Sequence, residues 1–368
     1  MAFDGYTAFA FKIHVVKQLG LRLTLGNGIG IFKQTIGQGT FTMVDVGYDT
    51  EITYVLHFES AKIAFCTEIL ASENQFAILP QQMTNQLFSY IGQQHGFSIK
   101  NFSPVGGGSI NRVYCLYSDS QKYLIKINDR NAFPGMFAAE AEGLNTIRRT
   151  RTIAVPEVVL QGDFEDESFL MLEWIENKRP TAKGSELLGK QLANMHQTTA
   201  GLFGSMADNY MGSLKQSNRS HPTWSNFFAE ERLKPMINIA LYNNLINNDD
   251  IDNFDYLYEH LPDLFEEENP SLIHGDLWSG NYLVSADDRP YLIDPAIAYG
   301  HREFDIAMTT LFGGFSSEFY EAYQYHFPLQ NGWQHRIDLW NLYPLLVHLN
   351  LFGLSYLGQV RDCLKQYL

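Results

Sequence analysis

From residue 84 onward, apolar residues recur at helical intervals or alternate as in strands, and they do so in a definite order. Thr84–Gln94 sets Leu87, Phe88 and Ile91 on one side, which predicts an amphipathic helix. A strand-like stretch leads to Pro104, and Arg112–Tyr117 and Tyr123–Ile127 predict two strands joined by a turn. Phe137, Ala141, Leu144 and Ile147 form a helical stripe within Phe137–Arg149. Val155–Leu160 and Ser168–Glu173 predict two more strands, and Ser185–Thr198 a helix with Leu188, Leu192 and Met195 in one row. After about residue 177 the pattern is mostly helical. Strands first and helices afterwards predict an α+β fold of two lobes, a small β-rich lobe over 83–176 and a larger helical lobe over 177–368.

Residues 1–82 differ in character. They are rich in glycine, threonine and aromatic residues, with a strand-like run at Glu51–Phe58, and form an N-terminal extension with no repeat and no catalytic set. Gly26-Asn-Gly28-Ile-Gly30 lacks the spacing of a dinucleotide loop and no strong helix follows, so these glycines read as turn formers. Far along the chain, Leu339–Leu357 is apolar but interrupted by Asn341, Pro344, His348 and Asn350, which predicts a buried helix and not a membrane span.

Composition narrows the partners. The 368 residues suffice for two or three domains, and a formal charge of −15 argues against nucleic acid or an anionic membrane as a ligand. The three cysteines, Cys66, Cys115 and Cys363, are widely spaced, which predicts a reducing, cytoplasmic setting without a metal cage. The N-terminus shows no signal pattern. Nothing in the composition bears on oligomeric state.

The chemistry concentrates in His274-Gly275-Asp276-Leu277-Trp278-Ser279-Gly280-Asn281, followed by Tyr291-Leu-Ile-Asp294-Pro295-Ala296. An Asp, an Asn five residues on and a later Asp behind a short apolar run are the set that phosphoryl transfer from ATP requires. Asp276 would accept the proton of an attacking hydroxyl, and Asn281 and Asp294 would hold magnesium. Either motif alone is an ordinary turn. Joined by strand-like Asn281–Val284 and Tyr291–Ile293, they predict a hairpin that carries both metal ligands.

Upstream, Gly106, Gly107, Gly108 and Ser109 stand between strand-like segments, where glycines let backbone N–H groups approach phosphates, though a plain hairpin explains them equally. Lys126 on the following strand tips the reading toward a nucleotide site, since a lysine there grips phosphates and pairs with a helix glutamate. Glu140 and Glu142 are both candidates for that pairing, and Glu140 is preferred. The segment Glu173-Trp174-Ile175-Glu176 is where the lobes would hinge and where the backbone at Glu173 and Ile175 would meet the adenine edge. Asp305 opens a helical run and reads as its cap or as a brace for the catalytic loop.

Residues 83–368 resemble the fructosamine kinase family. The resemblance rests on His274–Asn281, on Asp294-Pro295-Ala296, on Tyr299-Gly300-His301 with Glu303-Phe304, on Phe312-Gly313-Gly314-Phe315, on Trp224 with Phe227-Phe228, and on Pro104–Ser109. It implies an ATP- and magnesium-dependent kinase that phosphorylates the 3-hydroxyl of ketosamines such as ribulosamine, erythrulosamine or fructosamine adducts, free or protein-bound, and so begins deglycation. It implies Asp276 as base, Asn281 and Asp294 at the metal, Lys126 with Glu140 at the phosphates, and Trp278, Trp224 and His301 at the sugar. The competing expectations are a kinase for another small hydroxyl substrate, of the aminoglycoside, choline or amino-alcohol type, and an inactive kinase-like binding module.

Overall fold

The computed structural model of the protein describes residues 84–106, 110–119, 121–205 and 207–368. The expectations for 1–82, including the strand at Glu51–Phe58 and the glycines at 26–30, lie outside these residues, as do Gly107, Gly108 and Ser109.

Helix α1 spans 84–95. Strands β1 (Asn101–Pro104), β2 (Arg112–Tyr117) and β3 (Lys122–Asp129) follow, then helix α2 (Met136–Thr150), then β4 (Val158–Phe164) and β5 (Glu167–Glu173). The sheet order is β1-β2-β3-β5-β4 with every neighbouring pair antiparallel. β4 begins three residues later than the apolar run at Val155 suggests; Val155 itself is buried in the core beside the sheet.

Side-chain alternation along β3 decides what each face does. Tyr123, Ile125 and Ile127 share one core with Leu87, Phe88 and Ile91 of α1. Lys126 and its neighbours two residues away, Leu124 and Asn128, occupy the opposite face, where Asn128 Nδ2 donates to Met136 Sδ of α2. A lysine placed among apolar residues is thereby aimed at the helix and not at solvent.

The second lobe is mostly helical. Helix α3 (Ala182–His196) starts at Thr181, whose hydroxyl accepts from Gly184 N, and β6 (Asn209–Met211) and β7 (Leu214–Gln216) make a short hairpin. Helix α4 (Trp224–Phe227) passes through a π-helical turn, Phe228–Leu233, into α5 (Lys234–Tyr242). Helix α6 (Asn248–His260) opens with a reciprocal cap between Asn247 and Asp250. Four short strands follow: β8 (Ser271–Ile273), β9 (Tyr282–Val284), β10 (Pro290–Leu292) and β11 (Ala298–Gly300). β9 pairs with β10, and β8 with β11, both antiparallel. Helices α7 (Glu303–Leu311), α8 (Ser317–His326), α9 (Ile337–Phe352) and α10 (Leu357–Leu364) complete the lobe. α9 is the buried helix expected over Leu339–Leu357, but it stops at Phe352 because Gly353 takes a φ of 87°, a left-handed turn. Among the described residues no helix is long and apolar enough to cross a membrane.

Candidate active site

The pairing of β8 with β11 and of β9 with β10 brings the loop 274–281 against 293–297. Ala296 N donates to His274 O at 2.9 Å, and Ile293 N to Asn281 O at 3.0 Å. Gly275 has a φ of 79°, and a Cβ there would lie 2.1 Å from Ala296 O, so only glycine fits. The next residue, Asp276, is fixed by that contact.

Asp305 holds the loop from below. It is fully buried in the first turn of α7, with Arg302 at the cap position. Its two carboxylate oxygens accept from His274 N at 2.6 Å and from Gly275 N at 2.9 Å. His196 Nε2 lies 3.1 Å from Asp305 Oδ2, and its Nδ1 lies 2.7 Å from the Tyr323 hydroxyl. Of the two roles open to Asp305, the structure shows the brace. The His274 ring is buried, which holds its pKa below the usual imidazole range and keeps it neutral. Its Nε2 then carries the proton given to Ile293 O at 2.9 Å, while Nδ1 accepts from Asp276 N at 3.3 Å. One neutral ring thus ties the Asp276 backbone to the residue before Asp294.

Asn281 Nδ2 donates to Asp276 O at 2.8 Å and to Asp276 Oδ2 at 2.9 Å. The Asp276 carboxyl is pushed up to about 7, first by burial and then by the Asp294 charge, against the Asn281 hydrogen bond. Asp294 is half-exposed toward the cavity and sits at a φ of 55°, in the left-handed region. Lys126 is 5% exposed and reaches Glu140 Oε1 at 2.7 Å and Asp294 Oδ1 at 2.5 Å. Burial alone would lower the lysine pKa; the Asp294 and Glu140 charges outweigh it and hold the ammonium above its ordinary range. Glu142 points away, exposed, and pairs with Arg149 on its own helix. Glycine at 143 lets α2 close on the loop: a Cβ there would stand 3.1 Å from Pro295 Cγ.

These groups line one cavity of about 400 Å³, with Gly106, Lys126, Glu140, Asp276, Trp278, Asn281 and Asp294 in its wall. The Trp278 indole lies across Gly280, where a Cβ would come within 2.0 Å of the ring. The cavity also takes in Asn209, Tyr210 and Gly212 of the β6–β7 hairpin, which sequence reasoning missed. Two strands of three residues give no alternation to detect. Tyr210 donates its hydroxyl to Pro134 O at 2.9 Å, linking the hairpin to the start of α2.

Four other expected site residues stand elsewhere. Trp224 is 0% exposed and stacks between Phe227 and Phe228, with ring centroids 5.4 and 5.5 Å away. His301 is also fully buried and stacks on Trp340 at 5.3 Å. Both are packed in the core of the helical lobe and neither lines the cavity: Trp224 shares one helix face with Phe227 and Phe228, and His301 packs against Phe265 and Trp340. Glu173 and Ile175 sit where the chain leaves β5 for α3 but do not line the cavity; Glu173 instead caps the Glu157 amide with its Oε2.

Among the described residues, no cluster of three or more His, Cys, Asp or Glu side chains could enclose a metal. A magnesium ion, which keeps several waters, would need only one or two protein atoms here. Asp294, with Oδ1 paired to Lys126, could offer its other carboxylate oxygen, and with Asn281 Nδ2 given to Asp276, Asn281 could offer Oδ1.

The sequence profile of the fructosamine kinase family matches residues 81–368. A protein of Enterococcus faecium described as a probable ketoamine kinase is 40% identical over 267 residues, covering 72% of this chain and 94% of its own. The crystal structure of a Thermobifida fusca protein described as a putative fructosamine-3-kinase superposes with a TM-score of 0.70 at 34% identity, covering 76% of this chain and 97% of that one. A spectinomycin phosphotransferase solved with ADP and spectinomycin is 16% identical at a TM-score of 0.50, covering 77% of this chain and 93% of that one, a likeness of fold alone.

Proposed function

The chain belongs to the fructosamine kinase family, and from that premise we propose that it transfers the γ-phosphoryl group of ATP to the 3-hydroxyl of a ketosamine. The observation that carries this reading is the convergence of Lys126, Asp276, Asn281 and Asp294 on one cavity.

In this reading Asp276 accepts the proton of the sugar hydroxyl as that oxygen attacks phosphorus. The raised Asp276 carboxyl suits a base working near neutral pH. Asn281 holds one Asp276 oxygen and so points the other at the acceptor. Lys126, kept in place by Glu140, contacts the phosphates. Magnesium at Asp294 and Asn281 would neutralise charge on the transferring group. Trp278 supplies an apolar wall for the sugar ring. Enolisation of the ketone toward the amine-bearing carbon and elimination of the phosphate would leave an imine, and water would hydrolyse it to the free amine and a dicarbonyl sugar fragment without enzymatic cleavage of the carbon–nitrogen bond.

The test is ATP turnover with ribulosamine, erythrulosamine and fructosamine adducts against aminoglycosides and choline. The proposal requires turnover with at least one ketosamine and little with the others. The phosphorylated product, filtered free of enzyme, should release phosphate and amine slowly on its own. A product stable for days at neutral pH would move the phosphate to a different hydroxyl.

A further inference from the structure

The aromatic wall of the cavity does not end at Trp278. Its indole meets Phe312 edge-on with ring centroids 6.2 Å apart, and Phe312 lies 5.0 Å from the His348 ring. His348 in turn lies 5.4 Å from Phe352 and 5.1 Å from Tyr356. None of these rings is fully buried, and Phe352 is 44% exposed beside Leu354 at 61%. The turn at Gly353 folds the chain back so that Tyr356 returns to the same face. The end of α9 also abuts the hairpin rim of the cavity, since a Cβ at Gly212 would lie 3.1 Å from Leu351 Cδ1. Large exposed apolar side chains are ordinary when scattered. Here half-buried rings run in contact from Trp278, near Asp276, through Phe312 and His348 to the exposed Phe352 and Leu354, and so form a lane from the cavity to solvent.

We propose that this lane binds the amine-bearing part of the substrate, and that the protein prefers ketosamines whose amine carries an aromatic or extended apolar substituent. The inference rests on the ketosamine reading above. A ketosamine joins its sugar to the rest of the molecule through a secondary amine, which carries a proton near neutral pH. With the acceptor hydroxyl at Asp276, the sugar lies beside Trp278, and the substituent must continue outward from there. Aromatic faces attract an alkylammonium and pack against an apolar chain. His348 suits the lane because burial depresses its pKa and keeps the ring neutral, so it does not repel that cation. Its Nδ1 is already engaged, 2.7 Å from Pro344 O, which leaves the ring to act as a surface.

The full chain tests this with two ketosamines that share one sugar, one made from benzylamine and one from ethanolamine. The benzylamine adduct should show a kcat/KM about tenfold higher, mostly through KM, as expected for one buried aromatic contact. Phe352→Ser should remove most of that advantage and leave the ethanolamine adduct unchanged, and Leu354→Ser should act in the same direction. Both positions are exposed, so neither change disturbs the core. Equal kcat/KM for the two adducts on the unaltered protein would overturn the lane. So would a Phe352→Ser variant that lowers both adducts by the same factor. If the protein turned over neither adduct while phosphorylating another hydroxyl compound, the ketosamine reading would fall and the lane with it.

Discussion

Replacing Asp305 by asparagine perturbs the loop that carries Asp276, the proposed base, from a position that does not itself line the cavity. The side chain is fully buried and accepts from two backbone N–H groups, at 2.6 and 2.9 Å, and faces His196 Nε2 at 3.1 Å. Hydrogen bonds to a charged group contribute about 1.5–3 kcal/mol each. Asparagine keeps one acceptor oxygen and turns an NH2 group toward the other amide, so one of the two loop bonds is lost. The expected cost is about 1.5–3 kcal/mol of stability, whereas alanine, which removes both, costs about 3–6 kcal/mol. The kinetic loss should exceed what stability alone explains, because Asp276 is the next residue along and tolerates little misplacement; on the order of a hundredfold in kcat is expected. Urea unfolding supplies the stability change, and steady-state kinetics at saturating ATP and ketosamine supply kcat. KM for ATP should move little, since Lys126 and Glu140 lie on other elements. An asparagine variant within about 0.5 kcal/mol of the original, with turnover within about threefold, would refute the claim that Asp305 holds the loop.

Asp276→Asn should lose about a hundredfold or more in turnover while ATP still binds, measurable by nucleotide titration alongside kcat. Asp294→Ala should raise the magnesium concentration needed for half-maximal activity, and an unchanged magnesium titration would remove Asp294 from the metal site. Gly280→Ala should raise KM for the ketosamine far more than KM for ATP, because the added methyl displaces the Trp278 ring that lies 2.0 Å from its place. A shortened chain beginning at Met83 should unfold cooperatively and keep full turnover; aggregation would show that the preceding residues belong to the same folding unit.

The sequence carried the site further than it carried the walls around it. Asp276, Asn281 and Asp294 were legible because their spacing is chemical, and Lys126 because it stands on the strand that follows the glycine-rich turn and its partner strand, although a lysine among Leu124, Ile125 and Ile127 is by itself usually solvent-facing. The choice of Glu140 over Glu142 follows from helical phase: Glu140 lies three residues after Phe137 and four before Leu144, on the buried stripe. Phase also corrects Trp224, since Trp224, Phe227 and Phe228 repeat at the interval of a packed helix face. His301 carried no such signal; its burial depends on Phe265 and Trp340, residues distant in sequence. The β6–β7 hairpin was invisible for a similar reason, because long-range contacts and not local propensity hold it in place.

Gly143 and Glu140 occupy a single turn of α2, and the consequence is an interlock. Glu140 secures Lys126, and Gly143 lets the same turn rest on Pro295, next to Asp294. If the lobes part, Lys126 and Glu140 move away together, and the Lys126–Asp294 contact and the packing of this turn on Pro295 are lost in one stroke. On the proposed function, such an opening would part the phosphate side of the cavity from its metal side, and only a closure that seats this turn would bring them back together.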